Sequence, residues 1–269
     1  MAEWMAVSPF LAVYMTALAA LLGAVLSSFG GCVAARLVTG ESFVRGRSHC
    51  ASCGHTLSPK DLIPVFSWLF LKGRCRYCGA RVPAIYPVTE ALGAALFAAL
   101  LWRYGLTLQT LEYCILVILL LILSLVDWDS GLIPNSVLLT GVANFTLFTL
   151  LRGEGVSGLL HGLLSGLTVS IPLLVLVLIM DKVLGRESMG GGDIKLFFVV
   201  GLYFALAELL VVVILPCLLG IVLALATRKT TGDEENPKAF PFGPAIALGT
   251  AAALLCAQPL VDWYLGLFL

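Results

Sequence analysis

No charged residue occurs between residues 6 and 34, and seven more apolar stretches follow, at 84–102, 106–126, 133–151, 159–184, 194–207, 209–226 and 242–269. A hydrocarbon layer about 30 Å thick is crossed by roughly 20 apolar helical residues. Lipid offers no hydrogen bonds, so each stretch must satisfy its own backbone, which selects helices. With 60% hydrophobic and 12% charged residues and a mean hydropathy of +1.03, a water-soluble globule is excluded. The expectation is an all-α polytopic membrane protein with about eight transmembrane helices. The first stretch has no basic residue before it and exceeds the apolar core of a signal peptide, so it is expected to be retained rather than cleaved.

The stretch 194–226 is long for one crossing and short for two, and Glu208 and Pro216 interrupt it. Charge decides its reading. With eight helices, the connections at 35–83, 127–132, 185–193 and 227–241 share one side, and they or their flanks hold all but Arg103 and Arg152 of the 16 Lys and Arg residues. A single helix would move Arg228, Lys229 and Lys238 across, so the positive-inside rule predicts two short helices and cytoplasmic connections. The organisation expected is a first transmembrane helix at 1–34, a cytoplasmic domain with four cysteines at 35–83, and a membrane-embedded domain of about seven helices at 84–269.

Two acidic clusters stand where apolar runs meet short polar turns: Asp127-Trp128-Asp129, and Gly190-Gly191-Gly192-Asp193. Ionisable groups at a membrane boundary are costly and mark candidate sites. The plainer reading is that Asp129 and Asp193 cap helix starts, where a carboxylate accepts free backbone N–H groups. Read together, the acids suggest a dyad that shares one proton, the ionised member activating water while the protonated one polarises a scissile carbonyl. Glycines 190–192 carry no side chain, so they allow close approach of a substrate strand or positive φ angles. Neither GxSxG nor HExxH is present, which leaves serine or zinc hydrolysis without support. The competing class is a transporter with a metal-bearing regulatory loop. It would favour acids at helix centres and an inverted repeat, and the sequence shows neither.

Cys50-Ala-Ser-Cys53 and Cys75-Arg-Tyr-Cys78 lie in the long polar loop, each pair followed by glycine. Two such knuckles make a four-sulfur structural zinc site. Disulfides or idle thiols are the alternatives, and a cytoplasmic loop is reducing, which disfavours disulfides. His49 and His55 flank the first knuckle as alternative ligands or loop residues. Cys32, Cys114, Cys217 and Cys256 are scattered through apolar stretches, where free cysteine is ordinary. Lys72, Arg74, Arg76 and Arg81 suit anionic headgroups or simply fix topology.

These residues resemble the bacterial type IV prepilin leader peptidases/N-methyltransferases, membrane aspartic proteases of the GxGD type. The resemblance rests on Arg47-Ser48-His49-Cys50, Asp61-Leu62-Ile63-Pro64, Gly73-Arg74-Cys75-Arg76-Tyr77-Cys78, Tyr86-Pro87 with Glu90, Asp127 with Ile133-Pro134, Gly190 to Lys195, and Pro241-Phe242-Gly243-Pro244. It implies Asp127 and Asp193 as catalytic acids and Cys50, Cys53, Cys75 and Cys78 as the metal tetrad. It also implies cleavage of the basic leader of prepilin and pseudopilin precursors at the cytoplasmic face of the inner membrane. Methylation of the new N-terminus with S-adenosylmethionine would follow. Lipid is the expected surrounding, and no nucleic-acid partner is expected. The chain departs from the family pattern at Ser28-Phe29-Gly30-Gly31-Cys32-Val33, where the family has Ser-Phe-Leu-Asn-Val and this chain lacks the asparagine.

Overall fold

A computed structural model describes residues 9–42, 46–185, 188–228 and 241–267. Its helices are α1 (Pro9–Thr39), α2 (Phe66–Phe70), α3 (Ile85–Tyr104), α4 (Leu108–Ser130), α5 (Asn135–Leu151), α6 (Gly155–Leu184), α7 (Gly191–Gly201), α8 (Leu209–Arg228) and α9 (Gly243–Leu265). Leaving aside the five-residue α2, eight apolar helices remain among the described residues, one for each stretch expected to cross the membrane. Six are long and apolar enough to cross a membrane. The 17 residues of α5 and the 11 of α7 are shorter. At 1.5 Å per residue α7 reaches about 16 Å, roughly half the hydrocarbon thickness. Among the described residues there is no strand beyond two isolated bridges, His49 with Thr56 and Arg74 with Arg81. The fold class read from sequence therefore holds: this is a multi-pass, all-α membrane protein.

Two compact units divide the chain, Met1–Leu125 and Val126–Leu269, with the boundary inside α4. In the first, α1 continues past the apolar pattern to Thr39. Arg36 makes this possible: it is 8% exposed, and its guanidinium donates to the carbonyls of Ser42 (3.1 Å) and Arg47 (3.2 Å). α1 packs on α3 through small residues. A Cβ built on Gly23 would overlap the Gly93 backbone, and one on Gly93 would overlap Ser27, so both must be glycine for the backbones to meet.

In the second unit the stretch 194–226 does form two helices, but the first differs from expectation. It begins at Gly191 rather than at Ile194 and ends at Gly201, short of residue 207. The chain then turns and makes a 3-10 turn over Leu206–Glu208, where the Glu208 carboxylate accepts the Ala205 N–H at 3.1 Å and starts a new helix. Pro216 lies inside α8 and marks no break. The turn is fixed from α5: Tyr203 donates its hydroxyl to the Gly141 carbonyl at 2.6 Å and accepts from Asn144 Nδ2 at 3.0 Å. Lys229 and Lys238, which entered the charge argument, lie outside the described residues.

Candidate active site and candidate metal centre

Asp127 is in the last turn of α4 and 5% exposed. A helix C-terminus is a poor place for a carboxylate, because the free carbonyls there carry partial negative charge. The compensation comes from α9. Its first residue, Gly243, donates its N–H to Asp127 Oδ2 at 2.8 Å, and its N-terminal dipole favours an anion. Any side chain here would force a shift: a Cβ at Gly243 would lie 2.6 Å from Asp127 Oδ2 and 3.0 Å from its Cβ and Cγ.

Asp193 sits at the third position of α7 and is 9% exposed. The Gly190 backbone forms a hydrogen bond to its carboxyl, and Asp193 senses the charge of Asp127, so the two acids share one electrostatic environment. Its Oδ1 is buried with no hydrogen-bond partner among the described residues. For Asp193 the plain reading as a helix-start residue thus describes its position, while that orphaned oxygen calls for more than capping. Asp129 is not at a helix start at all. It is exposed, in the last turn of α4 beside exposed Trp128.

Glycines 190–192 do not use positive φ angles; Gly190 has φ −67° and none of the three is left-handed. Space is tight only at Gly192, since about 3.4 Å is an ordinary contact distance for a carbon. A Cβ on Gly190 would stand 3.4 Å from Asp193 Oδ2, and one on Gly192 would stand 3.0 Å from the Cβ of Ile133. Nothing lies within 4 Å of a Cβ on Gly191. Lys195, one turn further, donates to Asn135 Oδ1 at 3.2 Å and ties α7 to the start of α5.

In the first unit the two cysteine knuckles repeat one backbone pattern. Cys50 N–H donates to the His55 carbonyl (3.0 Å) and Gly54 N–H to the Cys50 carbonyl (2.8 Å); Cys75 with Ala80 (2.8 Å) and Gly79 with Cys75 (3.0 Å) do the same. Gly54 and Gly79 close both turns at φ +70° and +73°, which glycine adopts without strain. The four sulfurs all lie within 4.8 Å of one another, and Cys50 Sγ is 3.9 Å from Cys78 Sγ. Zinc–sulfur bonds of about 2.3 Å in a tetrahedron require sulfurs about 3.8 Å apart, so the donor set fits a metal ion. Backbone N–H groups, first of Cys53 and then of Ser52, bring the Cys50 thiol down to about 6. A thiolate is thereby favoured before any cation arrives. His55 is not among the clustered ligands; its ring stacks on Tyr77 at 3.7 Å.

Asp61 binds the second knuckle to the rest of the loop. It takes Arg76 Nε at 2.6 Å, the Tyr77 hydroxyl at 3.1 Å, and the Ser58 hydroxyl and N–H at 2.7 and 3.1 Å. Burial pushes its carboxyl up, but these donors outweigh burial and hold it well below the usual carboxylate range.

Residues 114–225 match the Type IV leader peptidase family and residues 21–104 the Bacterial Peptidase A24 N-terminal domain. The first range contains Asp127 and Asp193, and the second contains all four clustered cysteines. With eight apolar helices, this places the chain in the class of integral-membrane peptidases. Proteins named prepilin leader peptidase/N-methyltransferase narrow it further. That of Bacillus subtilis (strain 168) is 32% identical over 249 residues, 93% of this chain and 97% of the relative. That of Myxococcus xanthus (strain DK1622) is 34% identical over 229 residues, 83% of this chain and 68% of the relative. The Aeromonas hydrophila protein is 33% identical over 224 residues, 83% and 76% respectively. The chain belongs to the prepilin leader peptidase/N-methyltransferase family. No solved structure matches it.

Gly243 is the site residue whose role sequence reasoning missed. The signal was present: Gly243-Pro244 after Phe242 is a helix start with proline in its first turn, but nothing in the sequence says which acid that start faces.

Proposed function

We propose that this chain cleaves the leader of type IV prepilins and pilin-like precursors with Asp127 and Asp193 as its acid–base pair, and N-methylates the new terminus. The observation that carries this reading is the buried pair itself: Asp127 held by the Gly243 N–H, and Asp193 beside it with an unpartnered oxygen. Asp127, at the α9 N-terminus, acts as the carboxylate and takes a proton from water as the water oxygen bonds to the scissile carbonyl carbon. Asp193 gives its proton to the carbonyl oxygen. When the tetrahedral intermediate collapses, the C–N bond breaks, Asp127 returns its proton to the leaving amine, and a hydroxyl proton of the intermediate goes back to Asp193.

The substrate's cleavage site joins a basic leader to an apolar helix, so lateral entry from the bilayer is the natural route. On α7, Ile194 and Phe198 line an apolar groove of about 460 Å³ with Leu138, Leu139, Leu167 and Ile171, and Lys195 stands in it; neither Asp127 nor Asp193 is among its lining residues. Such a groove suits an apolar helix. Clustering of Lys and Arg in the loop connections supports a cytoplasmic face and, for a bacterial chain, the inner membrane. In this reading the glycines let the extended scissile segment come close to Asp193. Gly192→Val is expected to lower cleavage about tenfold or more, since a branched side chain must displace Ile133 and shift α7. Gly192→Ala should be milder. Cleavage by Gly192→Val at the normal rate would make the glycines a mere linker into α7.

Zinc would be held by Cys50, Cys53, Cys75 and Cys78 in a structural role, because four protein ligands leave no open position for chemistry. Metal analysis of protein prepared under reducing conditions is expected to find about one zinc per chain, lost in Cys50→Ser or Cys75→Ser. Metal-free protein with its loop intact would refute the assignment. S-adenosylmethionine would supply the methyl group for the second activity.

The reading is tested by incubating purified protein in detergent with a pilin precursor and isotopically labelled S-adenosylmethionine, followed by mass spectrometry of the product N-terminus. A shortened, labelled product is expected. A shortened but unlabelled one would leave a peptidase alone, in keeping with the asparagine that the stretch Ser28 to Val33 lacks relative to the family pattern. An uncleaved precursor would overturn the proposal.

A further inference from the structure

The long loop carries an apolar surface that its metal centre and fold do not use. Phe66, Leu69 and Phe70 of α2 are 61%, 56% and 83% exposed, and Ile63 before them is 49% exposed. Spaced at i, i+3 and i+4, the three share one face of the helical turn. The opposite face is anchored: Trp68 donates its indole N–H to the Val82 carbonyl at 3.0 Å, and its ring packs so closely on Gly73 that a Cβ there would come within 2.8 Å. The apolar side chains are therefore presented outward by a seated helix.

The depth of this surface is fixed by α3. Val65 N–H, immediately before α2, donates to Glu90 Oε2 at 2.6 Å, and Glu90 is in the second turn of α3, a helix long and apolar enough to cross a membrane. At 1.5 Å per residue, Glu90 is only about 7 Å along that helix from Ile85. Ile85 and Val88, 44% and 57% exposed, add apolar surface to the first turn of α3 just before Glu90. Val65 is held at φ +62°, which is costly for a β-branched residue, so the Glu90 contact keeps α2 at this height against a backbone preference. Around the patch Lys60, Lys72, Arg74 and Arg81 are exposed, while Arg76 is taken up by Asp61.

We propose that α2 is an interfacial membrane anchor: Phe66, Leu69 and Phe70 enter the boundary between headgroups and acyl chains, and Lys60, Lys72, Arg74 and Arg81 meet anionic phospholipid headgroups. Apolar residues on one side with flanking cations are what an interfacial helix needs, and each cation near an anionic surface adds attraction. A bound prepilin leader fits less well, since the basic leader would face four cations. The anchor positions the cysteine domain on the bilayer surface and is independent of the peptidase reading.

The test uses the full chain in vesicles of phosphatidylcholine with a minor share of phosphatidylglycerol, with photoreactive benzoylphenylalanine in place of Phe70, an aromatic-for-aromatic change at an exposed position. Irradiation is expected to give phospholipid adducts at residue 70, enriched in phosphatidylglycerol over its share of the bilayer. Adduct yield should fall several-fold in Lys72→Glu with Arg74→Glu. It should also fall in vesicles of phosphatidylcholine alone, which needs no charge substitution and so cannot be mistaken for misfolding. Adducts to protein instead of lipid, or a yield indifferent to both headgroup and charge reversal, would overturn the proposal.

Discussion

Asp127→Asn and Asp193→Asn are each expected to lower precursor cleavage by about 10²–10⁴-fold or more, the range over which a positioned acid or base acts, while the protein still inserts and folds. An amide is isosteric with the carboxyl it replaces, so the Gly243 N–H can still be accepted at position 127. What is lost is the proton exchange. Asp129→Asn should be mild, because Asp129 is exposed to one side of the buried pair. Cleavage of a pilin precursor followed by gel and mass spectrometry checks all three. A dead Asp129→Asn together with an active Asp127→Asn would move the catalytic role two residues along α4.

The second large effect is expected at a residue with no side chain. In Gly243→Ala the new Cβ would meet Asp127 Oδ2 at 2.6 Å and its Cβ and Cγ at 3.0 Å, so either the Asp127 side chain or the start of α9 must move. Misplacing a catalytic group by about 1 Å costs about 10²-fold. Cleavage should drop by that order without loss of expression or of the cluster formed by Cys50, Cys53, Cys75 and Cys78. Normal cleavage by Gly243→Ala would mean that Asp127 does not work from the position seen here.

The placing of the apolar helices was legible in the sequence because apolar length and charge placement act over whole segments, although six rather than eight are long and apolar enough to cross a membrane. The α7–α8 break was legible too, though for partly the wrong reason. Pro216 was read as an interruption and lies within α8, whereas the break is made by the turn at Tyr203 and the Glu208 cap. The extension of α1 to Thr39 was hidden because it depends on Arg36 reaching Ser42 and Arg47 across the loop. At the site, Asp127 and Asp193 could be singled out as candidate acids from residue type and local setting, and the structure buries both; the cysteine tetrad could be read from spacing, and its four sulfurs lie within 4.8 Å of one another. Gly243 could not: it is 116 residues from Asp127, and a contact of that range is made by packing. The glycines before Asp193 show the same limit, since only the structure reveals that Gly192 answers to Ile133 rather than to a positive φ.

The central claim is that Asp127 and Asp193 act as one unit on one water. A cycle of Asp127→Asn, Asp193→Asn and the double variant, with excess enzyme over a pilin precursor and product quantified by mass spectrometry, measures this directly. Groups that act together are strongly non-additive, so the double variant is expected to cleave no more slowly than the slower single variant. Losses that multiply, with the double variant slower than the unsubstituted enzyme by the product of the two single effects, would contradict a shared-proton pair.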